Sequence, residues 1–203
     1  NSALELETSV IGKTLAIHGG NRYFKTMDDT EIFVEGFTSP PTLVLIGGGH
    51  VNRAVSRLAS FLGFRMYAVD DRVEFANKER FPEAETLVIS DYSRGLENVS
   101  VNSNTYIVVA TRGHRYDDLA LAAAIRTPAR YIGLLGSRRK TLEIYKNLLK
   151  EKVPMERLRE VYAPIGLNIG AITPEELAVS IMAEIIMVRN GGTGMSMKMN
   201  TAN

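Results

Sequence analysis

Cysteine is absent from this chain of 203 residues. That absence excludes disulfides, zinc–thiolate sites, a cysteine nucleophile and any persulfide carried on the chain itself. The sequence also lacks any apolar run close to the roughly 20 residues that a membrane-spanning helix needs, and no segment resembles a signal peptide. We therefore expect a cytoplasmic protein that does not associate with a membrane.

A large charge of either sign is missing as well, because 24 lysines and arginines face 23 acidic residues, for a net charge of +1. Such a balance gives no general attraction for nucleic acid, which we do not expect as a partner. The content of 45% hydrophobic and 23% charged residues is that of an ordinary globular domain. At this length the chain can bury one substantial core with a small appendage.

The first 40 residues have the pattern of a small β appendage. "GKTLAIHGGNRYF" and "TEIFVEGF" contain short strand patterns with the turn signals Gly19-Gly20-Asn21 and Asp28-Asp29. They predict a two- or three-stranded antiparallel unit that is too small to be stable alone. Ser39-Pro40-Pro41 separates this unit from the following segment. Its exposed strand edges favour pairing with a second copy, so we expect a homodimer.

From Thr42 onward, strand patterns alternate with helix patterns. Strands are predicted at 42–46, 65–69, 86–90, 105–110 and 130–134, and helices from the glycine run to Gly63 and at 115–126, 138–151 and 174–189. The last helix opens with Thr173-Pro174-Glu175-Glu176, a capping box. The alternation predicts an α/β fold over residues 41–190, a Rossmann-like doubly wound parallel sheet with strand order 3-2-1-4-5. Residues 191–203 have no periodicity and are expected to form a disordered tail.

Three consecutive glycines stand between the first predicted strand and its helix, which is the context of a dinucleotide-binding turn. Gly47 would make the tight turn, and Gly49 would let backbone N–H groups approach a phosphate. Asn52 stands where a third glycine belongs, and we expect it to loosen helix–strand packing or to move the phosphate. Asp70-Asp71 follow the second strand, near the spacing of a carboxylate that binds a ribose. The alternative is a tight turn and a capped helix with nothing bound.

Two more loops end at the same predicted edge of the sheet. The fourth strand runs into Thr111-Arg112-Gly113-His114, and the fifth runs into Gly136-Ser137-Arg138-Arg139-Lys140. With Ser137 as N-cap, three cations occupy a first helical turn that is already positive, and a bound anion would reverse that penalty. The alternative is that the long side chains extend into water. Arg72 has two interpretations as well, a phosphate ligand or an ion pair with Asp70 or Asp71.

The histidines and one late glycine loop complete the candidates. His50 and His114 are candidates for acid–base catalysis or for hydrogen bonds to a ligand, and no other catalytic residue is assigned. Two histidines without a nearby carboxylate cluster or thiol make a poor metal site, so none is predicted. "PIGLNIGA", residues 164–171, indicates either backbone close to a ligand or a turn that needs positive φ at Gly166 and Gly170.

Six ordered motifs together resemble the XdhC/CoxI family, maturation factors for xanthine dehydrogenase and related molybdenum hydroxylases. They are "LIGGGHV", "GFRMYAVDDR", "ERFPEAE", "TRGHRYDDLAL", "YIGLLGSRRK" and "PIGLNIGAITPEELAVSIMAEII", and they cover roughly residues 40–190. The resemblance implies a Rossmann-like domain that binds molybdenum cofactor, as molybdopterin or its cytosine dinucleotide form. Such proteins hold the cofactor for sulfuration by a separate cysteine desulfurase and deliver it to an apo molybdenum hydroxylase of the xanthine or CO dehydrogenase type. Residues 1–40 resemble the end of the family's separate amino-terminal domain.

The resemblance also implies roles for individual residues. The turn at 47–51 and the cluster at 137–140 would bind phosphate, Asp70 would contact a ribose or pterin edge, and residues 112–114 would face the pterin or metal end. The family usually has glycine at position 52 and aspartate at 168, where this chain has Asn52 and Asn168. The full expected set is Gly47, Gly48, Gly49, His50, Val51, Asp70, Asp71, Arg72, Thr111, Arg112, Gly113, His114, Gly136, Ser137, Arg138, Arg139, Lys140, Gly166 and Asn168.

These patterns leave three functions open. The first is a cofactor-binding accessory protein without turnover of its own. The second is an NAD(P)-dependent oxidoreductase, which rests on Gly47, Gly49 and Asp70 and is opposed by the lack of a substrate domain and of a Tyr-x-x-x-Lys pair on a helix. The third is a scaffold with a nucleotide fold that binds no ligand.

Overall fold

A computed structural model describes residues 20–25, 29–36, 39–88 and 91–198 of the chain. The chain divides into two units, Asn1–Pro40 and Pro41–Asn203. In the first unit, β1 (Gly20–Lys25) and β2 (Glu31–Gly36) form an antiparallel pair. The predicted turn at Gly19-Gly20-Asn21 is wrong, because Gly20 and Asn21 lie inside β1 and pair with Gly36 and Glu35. Gly19 and Asp28 lie outside the described residues.

The second unit alternates strands and helices as the hydrophobic pattern predicts. Its elements are β3 (Thr42–Ile46), α1 (His50–Phe61), β4 (Arg65–Val69), β5 (Thr86–Val88), β6 (Thr105–Val109), α2 (His114–Ile125), β7 (Tyr131–Leu134), α3 (Arg138–Lys150), α4 (Met155–Arg159) and α5 (Pro174–Asn190). Residues 89 and 90 of the predicted third strand lie outside the described residues. The short helix α4 has no counterpart in the prediction.

The five strands of this unit form one parallel sheet in the order β5-β4-β3-β6-β7. In terms of the second unit's own strands this is the order 3-2-1-4-5, which confirms the predicted topology. The two central strands are buried at almost every position, as expected for parallel strands that are covered on both faces.

Each face of the sheet carries its own hydrophobic cluster. On one face, Val55 of α1 and Ile181 of α5 pack with Leu43 and Leu45 of β3. On the other face, Leu121 of α2 and Ile144 of α3 pack with Val44 and Ile46. Successive side chains of β3 therefore enter the two hydrophobic clusters in turn. Burial of each Leu, Ile or Val side chain contributes about 1.5–3 kcal/mol to the free energy of unfolding.

The helix ends follow local chemistry that the sequence predicts. Gly63 has φ of +76° directly after α1, where its amide and that of Phe64 bond to the last turn. Thr173 and Glu176 form the predicted reciprocal capping box of α5. None of the helices in the described residues is long and apolar enough to cross a membrane.

The topology fixes where a site can form. The connection after β3 runs to the face covered by α1, and the connection after β6 runs to the face covered by α2. Since β3 and β6 are hydrogen-bonded neighbours, the point where the strand order reverses lies between these two loops, and open α/β sheets form their ligand crevice at such a point.

Candidate functional site

The first two glycines of the turn after β3 are required by contacts within the protein. Gly47 has φ of +104°, and a Cβ atom there would lie 2.2 Å from the carbonyl oxygen of Ala110. A Cβ atom at Gly48 would lie 2.1 Å from the carbonyl oxygen of Phe75. Both distances are far inside van der Waals contact, so the turn is packed between the loops that follow β6 and β4.

The third glycine differs, because no atom lies within 4 Å of the position that its Cβ would take. Gly49 is the N-cap of α1 and makes no side-chain capping bond, and the first turn of the helix contains no acidic residue. Among the described residues no protein acceptor pairs with the amides of residues 49–52, and the first helical bond runs from Arg53 N to Gly49 O. Free N–H groups at the positive end of a helix form a seat for an anion. His50, which is exposed, and Val51, which is half-buried, carry two of these amides, and their contact with a ligand stays a prediction.

Asn52 is fully buried and fastens the glycine turn. Its Nδ2 donates to the carbonyl oxygens of Gly47 at 2.7 Å and Ile46 at 3.2 Å. Of the two expectations for Asn52, looser helix–strand packing is wrong, because its amide ties the first turn of α1 to the end of β3 and the glycine turn, and a displaced phosphate stays a prediction. Asn52 Oδ1 is buried without a hydrogen-bond partner.

Asp70 lies at the end of β4 and is 1% exposed. Its Oδ2 accepts from the backbone N–H of Gly48 at 2.7 Å, and its Oδ1 accepts from the backbone N–H and Nε of Arg72 at 3.1 and 3.0 Å. Burial raises the pKa of Asp70, but the Arg72 and Gly48 hydrogen bonds outweigh it and hold the pKa below its ordinary value. Of the two interpretations of Arg72, the structure has the ion pair. A ligand contact of Asp70 stays a prediction, since protein donors occupy both oxygens in this conformation.

Phe75 and Arg80 cover the outer side of the glycine turn, and the sequence patterns did not single them out. The Arg72 guanidinium stacks 3.6 Å from the centre of the Phe75 ring, and that of Arg80 lies 5.0 Å from it. Arg80 Nη2 also donates to the carbonyl oxygen of Gly48 at 3.0 Å. The segment after β4 thus fills the space beside Gly48. Two arginines close to one phenylalanine in "DRVEFANKER" are the signal that could have indicated this stack.

Asp71 and Arg112 join the loops on either side of the turn. Arg112 Nη2 donates to Asp71 Oδ2 at 2.7 Å and to the Tyr116 hydroxyl at 2.9 Å, and its guanidinium lies 4.5 Å from the Tyr116 ring centre. The Tyr92 hydroxyl donates to Asp71 Oδ1 at 3.2 Å. Burial and the charge of Asp70 raise the pKa of Tyr92, which keeps it a donor. The structure therefore brings together two predicted site residues and two tyrosines.

A second ionic link joins the first turns of α2 and α3, the helices that follow β6 and β7. The backbone N–H and Oγ1 of Thr111 donate to Asp117 Oδ1 at 3.1 and 2.7 Å. Asp117 is fully buried, and Lys140 Nζ forms an ion pair with its other oxygen. Gly113 is the N-cap of α2, so this arrangement fixes where that helix starts.

The cation cluster at the start of α3 is only partly available to a ligand. Ser137 is the N-cap as predicted, and its Oγ accepts from Lys140 N at 3.2 Å. The Lys140 side chain runs past Gly136 to Asp117. The counter-charge of Lys140 is therefore a carboxylate of the protein and not the anion of a bound ligand. Arg139 pairs with Glu143 at 3.4 Å and is 90% exposed, whereas Arg138 is exposed without an ion pair in the described part of the chain. Phosphate binding by Arg138 and Arg139 stays a prediction.

The loop at 164–171 has the positive φ angles that one interpretation required, +96° at Gly166 and +73° at Gly170. A Cβ atom at Gly166 would lie 2.4 Å from Ser180 Oγ, which explains that glycine by close packing on α5. The Gly166 amide donates to Glu184 Oε2 at 3.0 Å, and the Tyr131 hydroxyl donates to the same oxygen at 2.6 Å. Asn168 is exposed in this loop, and its contact with a ligand stays a prediction.

The side chain of His114 lies outside the described part of the structure, so its predicted role stays a prediction. His50 is exposed at the start of α1. Among the described residues, no group of three or more His, Asp or Glu side chains is placed to hold a metal ion.

Comparison with known proteins gives one family and several relatives. The family model described as the XdhC Rossmann domain matches residues 43–185. The chain is 37% identical over 164 residues to the uncharacterized protein YqeB of Escherichia coli (strain K12), covering 80% of this chain and 30% of YqeB. It is 34% identical over 160 residues to a probable xanthine dehydrogenase subunit from Bacillus subtilis (strain 168), covering 79% of this chain and 46% of the relative.

A solved structure resembles this chain over most of its length. It is the crystal structure of a xanthine dehydrogenase from Bacillus halodurans, with a TM-score of 0.66 at 25% sequence identity. The match covers 85% of this chain and 47% of that chain. The chain thus spans less than half the length of each of these three relatives.

Proposed function

This chain belongs to the family of XdhC Rossmann domains, and from that membership we propose that it is an accessory protein that binds molybdenum cofactor. In this role it holds the cofactor, as molybdopterin or its cytosine dinucleotide form, for sulfuration and for insertion into a hydroxylase of the xanthine dehydrogenase type. The name of the Bacillus subtilis relative, a probable xanthine dehydrogenase subunit, supports the choice of client enzyme.

The observation that carries the proposal is the open amino terminus of α1 at the point where the strand order reverses. Its four free amides, the space beside Gly49 and the absence of a first-turn acid suit the phosphate of such a ligand. Arg112, in the adjacent loop after β6, adds a cation with an exposed fraction of 35%. The residues present therefore fit an anionic group, and the pterin would lie in the crevice towards the loop after β6.

Hydrogen bonds within the chain preorganise this anion-binding turn before the ligand binds. Asn52 fixes the Gly47 carbonyl, and Asp70 fixes the Gly48 amide. Because the turn is already ordered, binding does not require the backbone to lose further conformational freedom. The bound cofactor would supply the molybdenum chemistry of the hydroxylase that receives it.

The second candidate, an NAD(P)-dependent oxidoreductase, is disfavoured by the region beside Gly48. In a dinucleotide-binding domain the carboxylate after the second strand binds the ribose hydroxyls. Here the corresponding Asp70 is buried on the Gly48 amide, and the stack of Arg72, Phe75 and Arg80 occupies the adjacent space. A dinucleotide would have to displace this stack to place its adenosine half in the usual position.

The proposed partners follow from the proposed role. They are an apo molybdenum hydroxylase, which receives the cofactor, and a cysteine desulfurase, which supplies sulfur. The absence of cysteine from this chain agrees with a separate sulfur donor. Pairing with a second copy through the amino-terminal strands is proposed as well.

Pterin copurification tests the proposal. The chain is produced in a host that makes molybdopterin, and the fluorescence of the oxidised pterin is measured against the amount of folded protein. We expect pterin in the wild type and a large loss in Arg112→Gln. Arg94→Gln is the matched control, since Arg94 is an exposed arginine whose ion pair with Glu97 at 2.9 Å lies on another loop. Folded wild-type protein that repeatedly carries no pterin would contradict the proposal.

A further inference from the structure

The ion pair between Asp71 and Arg112 crosses the end of β3. Asp71 follows β4 and Arg112 follows β6, and both strands are hydrogen-bonded neighbours of β3. The loops after β4 and β6 are two strand spacings apart, which is about 10 Å. The two side chains together therefore span the gap at the end of β3, beside the glycine turn. Their closest atoms, Asp71 Oδ2 and Arg112 Nη2, are 2.7 Å apart.

Arg112 keeps unused donors in this arrangement. Within the described residues, only its Nη2 donates to protein acceptors, those of Asp71 and Tyr116. A guanidinium has five N–H donors, so Nε and Nη1 can bond a further acceptor. The guanidinium also lies over the Tyr116 ring, 4.5 Å from its centre.

Asp71 can release Arg112 without becoming an isolated buried charge. Its Oδ1 also accepts from the Tyr92 hydroxyl and lies 3.7 Å from Arg72 Nε, and its side chain is 22% exposed. The pair between Asp117 of α2 and Lys140 of α3 behaves differently, because Asp117 is 0% exposed and Lys140 is the one cation paired with it among the described residues. Loss of that pair would leave a charge without compensation in the interior. Of these two ionic links, only the one between Asp71 and Arg112 can therefore be exchanged.

We propose that Arg112 is a latch that exchanges between two anions. In the free protein it pairs with Asp71 and closes the crevice mouth, and a phosphoryl group bound at the amino terminus of α1 takes the place of the carboxylate. The Asp71 carboxylate thus competes with the ligand for the same guanidinium. This inference rests on the proposed function as far as the natural ligand is concerned, but it applies to any phosphoryl anion at this seat.

Titration with inorganic pyrophosphate tests the latch, with affinities measured by calorimetry on the full chain. Removing the competitor in Asp71→Asn should tighten binding roughly two- to fivefold, the equivalent of a partly exposed ion pair. Arg112→Gln should weaken binding, and the double variant should bind like Arg112→Gln, because without Arg112 the carboxylate has nothing to compete for. Asp71→Ser provides a second charge-removing variant, and thermal unfolding verifies that each protein is folded.

The outcomes separate this inference from the proposed function. Weaker binding in Asp71→Asn would mean that Asp71 positions Arg112 as a fixed ligand, and would overturn the latch. Pyrophosphate affinity that does not respond to Arg112→Gln would overturn it too. If the pyrophosphate pattern holds while no pterin copurifies, the latch stands and the molybdenum cofactor proposal fails. If pterin copurifies but Asp71→Asn weakens pyrophosphate binding, the molybdenum cofactor proposal stands and the latch fails.

Discussion

The carboxylate of Asp70 accepts a hydrogen bond of 2.7 Å from the backbone amide of Gly48. In a dinucleotide-binding domain the equivalent carboxylate faces the ligand, but here it faces the protein and holds the glycine turn. The turn consequently has an inner half that is packed and hydrogen-bonded within the protein, made of Gly47, Gly48, Asn52 and Asp70, and an outer half at Gly49, whose Cβ position is open.

The first prediction compares two adjacent glycines. Gly48→Ala should lower the free energy of unfolding by about 3 kcal/mol, because the new methyl group overlaps the Phe75 carbonyl. Gly49→Ala should cost less than about 1 kcal/mol, since its position is open and only an N-cap preference is lost. Urea denaturation of both variants gives the comparison. Equal losses would mean that the turn does not pack on the loop after β4 as described.

The second prediction concerns acid pH and Asp70. Its folded-state pKa lies below the ordinary value of 3.8, so its stabilising effect is fully present above that pH and is lost as the pH falls through the folded-state pKa. Asp70→Asn should therefore be less stable than the wild type at neutral pH, and the gap should narrow below about pH 4. The free energy of unfolding of both proteins, measured as a function of pH, checks this. A gap that does not change with pH would contradict it.

The third prediction concerns Lys140 and the buried Asp117. Lys140→Met should destabilise the protein by about 3–5 kcal/mol, because it leaves a buried carboxylate without its cation. Arg138→Met is the matched control on the same helical turn and should change stability by less than about 0.5 kcal/mol. Thermal or urea unfolding separates the two. Similar stabilities would show that Lys140 is an ordinary surface cation.

The fourth prediction concerns nicotinamide cofactors. NAD(H) and NADP(H) should bind weakly or not at all, because Arg72, Phe75 and Arg80 cover the side of the turn where the adenosine half would lie. Calorimetric titration with each of the four forms is the measurement. Tight binding, accompanied by hydride transfer to a carbonyl compound, would favour the oxidoreductase.

The sheet could be predicted from the sequence because the signals that define its strands and helices lie in short, continuous segments of the chain. Each buried strand is a short apolar run, each helix has its own stripe and caps, and the handedness of the connections leaves few topologies. The predicted turn at Gly19-Gly20-Asn21 is wrong because glycine and asparagine indicate turns only on average. Gly20 and Asn21 pair with Gly36 and Glu35, so they belong to β1.

The candidate site was predictable only in outline. The glycine turn and the loops after β6 and β7 were placed correctly at one edge, since parallel strands bring their carboxyl ends together. The partners within the site were not predictable, because they depend on contacts between residues far apart in the chain. Asp70 bonds to Gly48 and Lys140 reaches Asp117, and no local pattern distinguishes these internal roles from contacts with a ligand.

The most direct test of the central claim is native mass spectrometry of the freshly purified chain from a host that makes molybdopterin. The account predicts a bound species with the mass of a phosphate-bearing pterin, or of its cytosine dinucleotide form, that is lost in Arg112→Gln and retained in Arg94→Gln. A folded chain that is always free of ligand, or one that carries a nicotinamide dinucleotide, would contradict it.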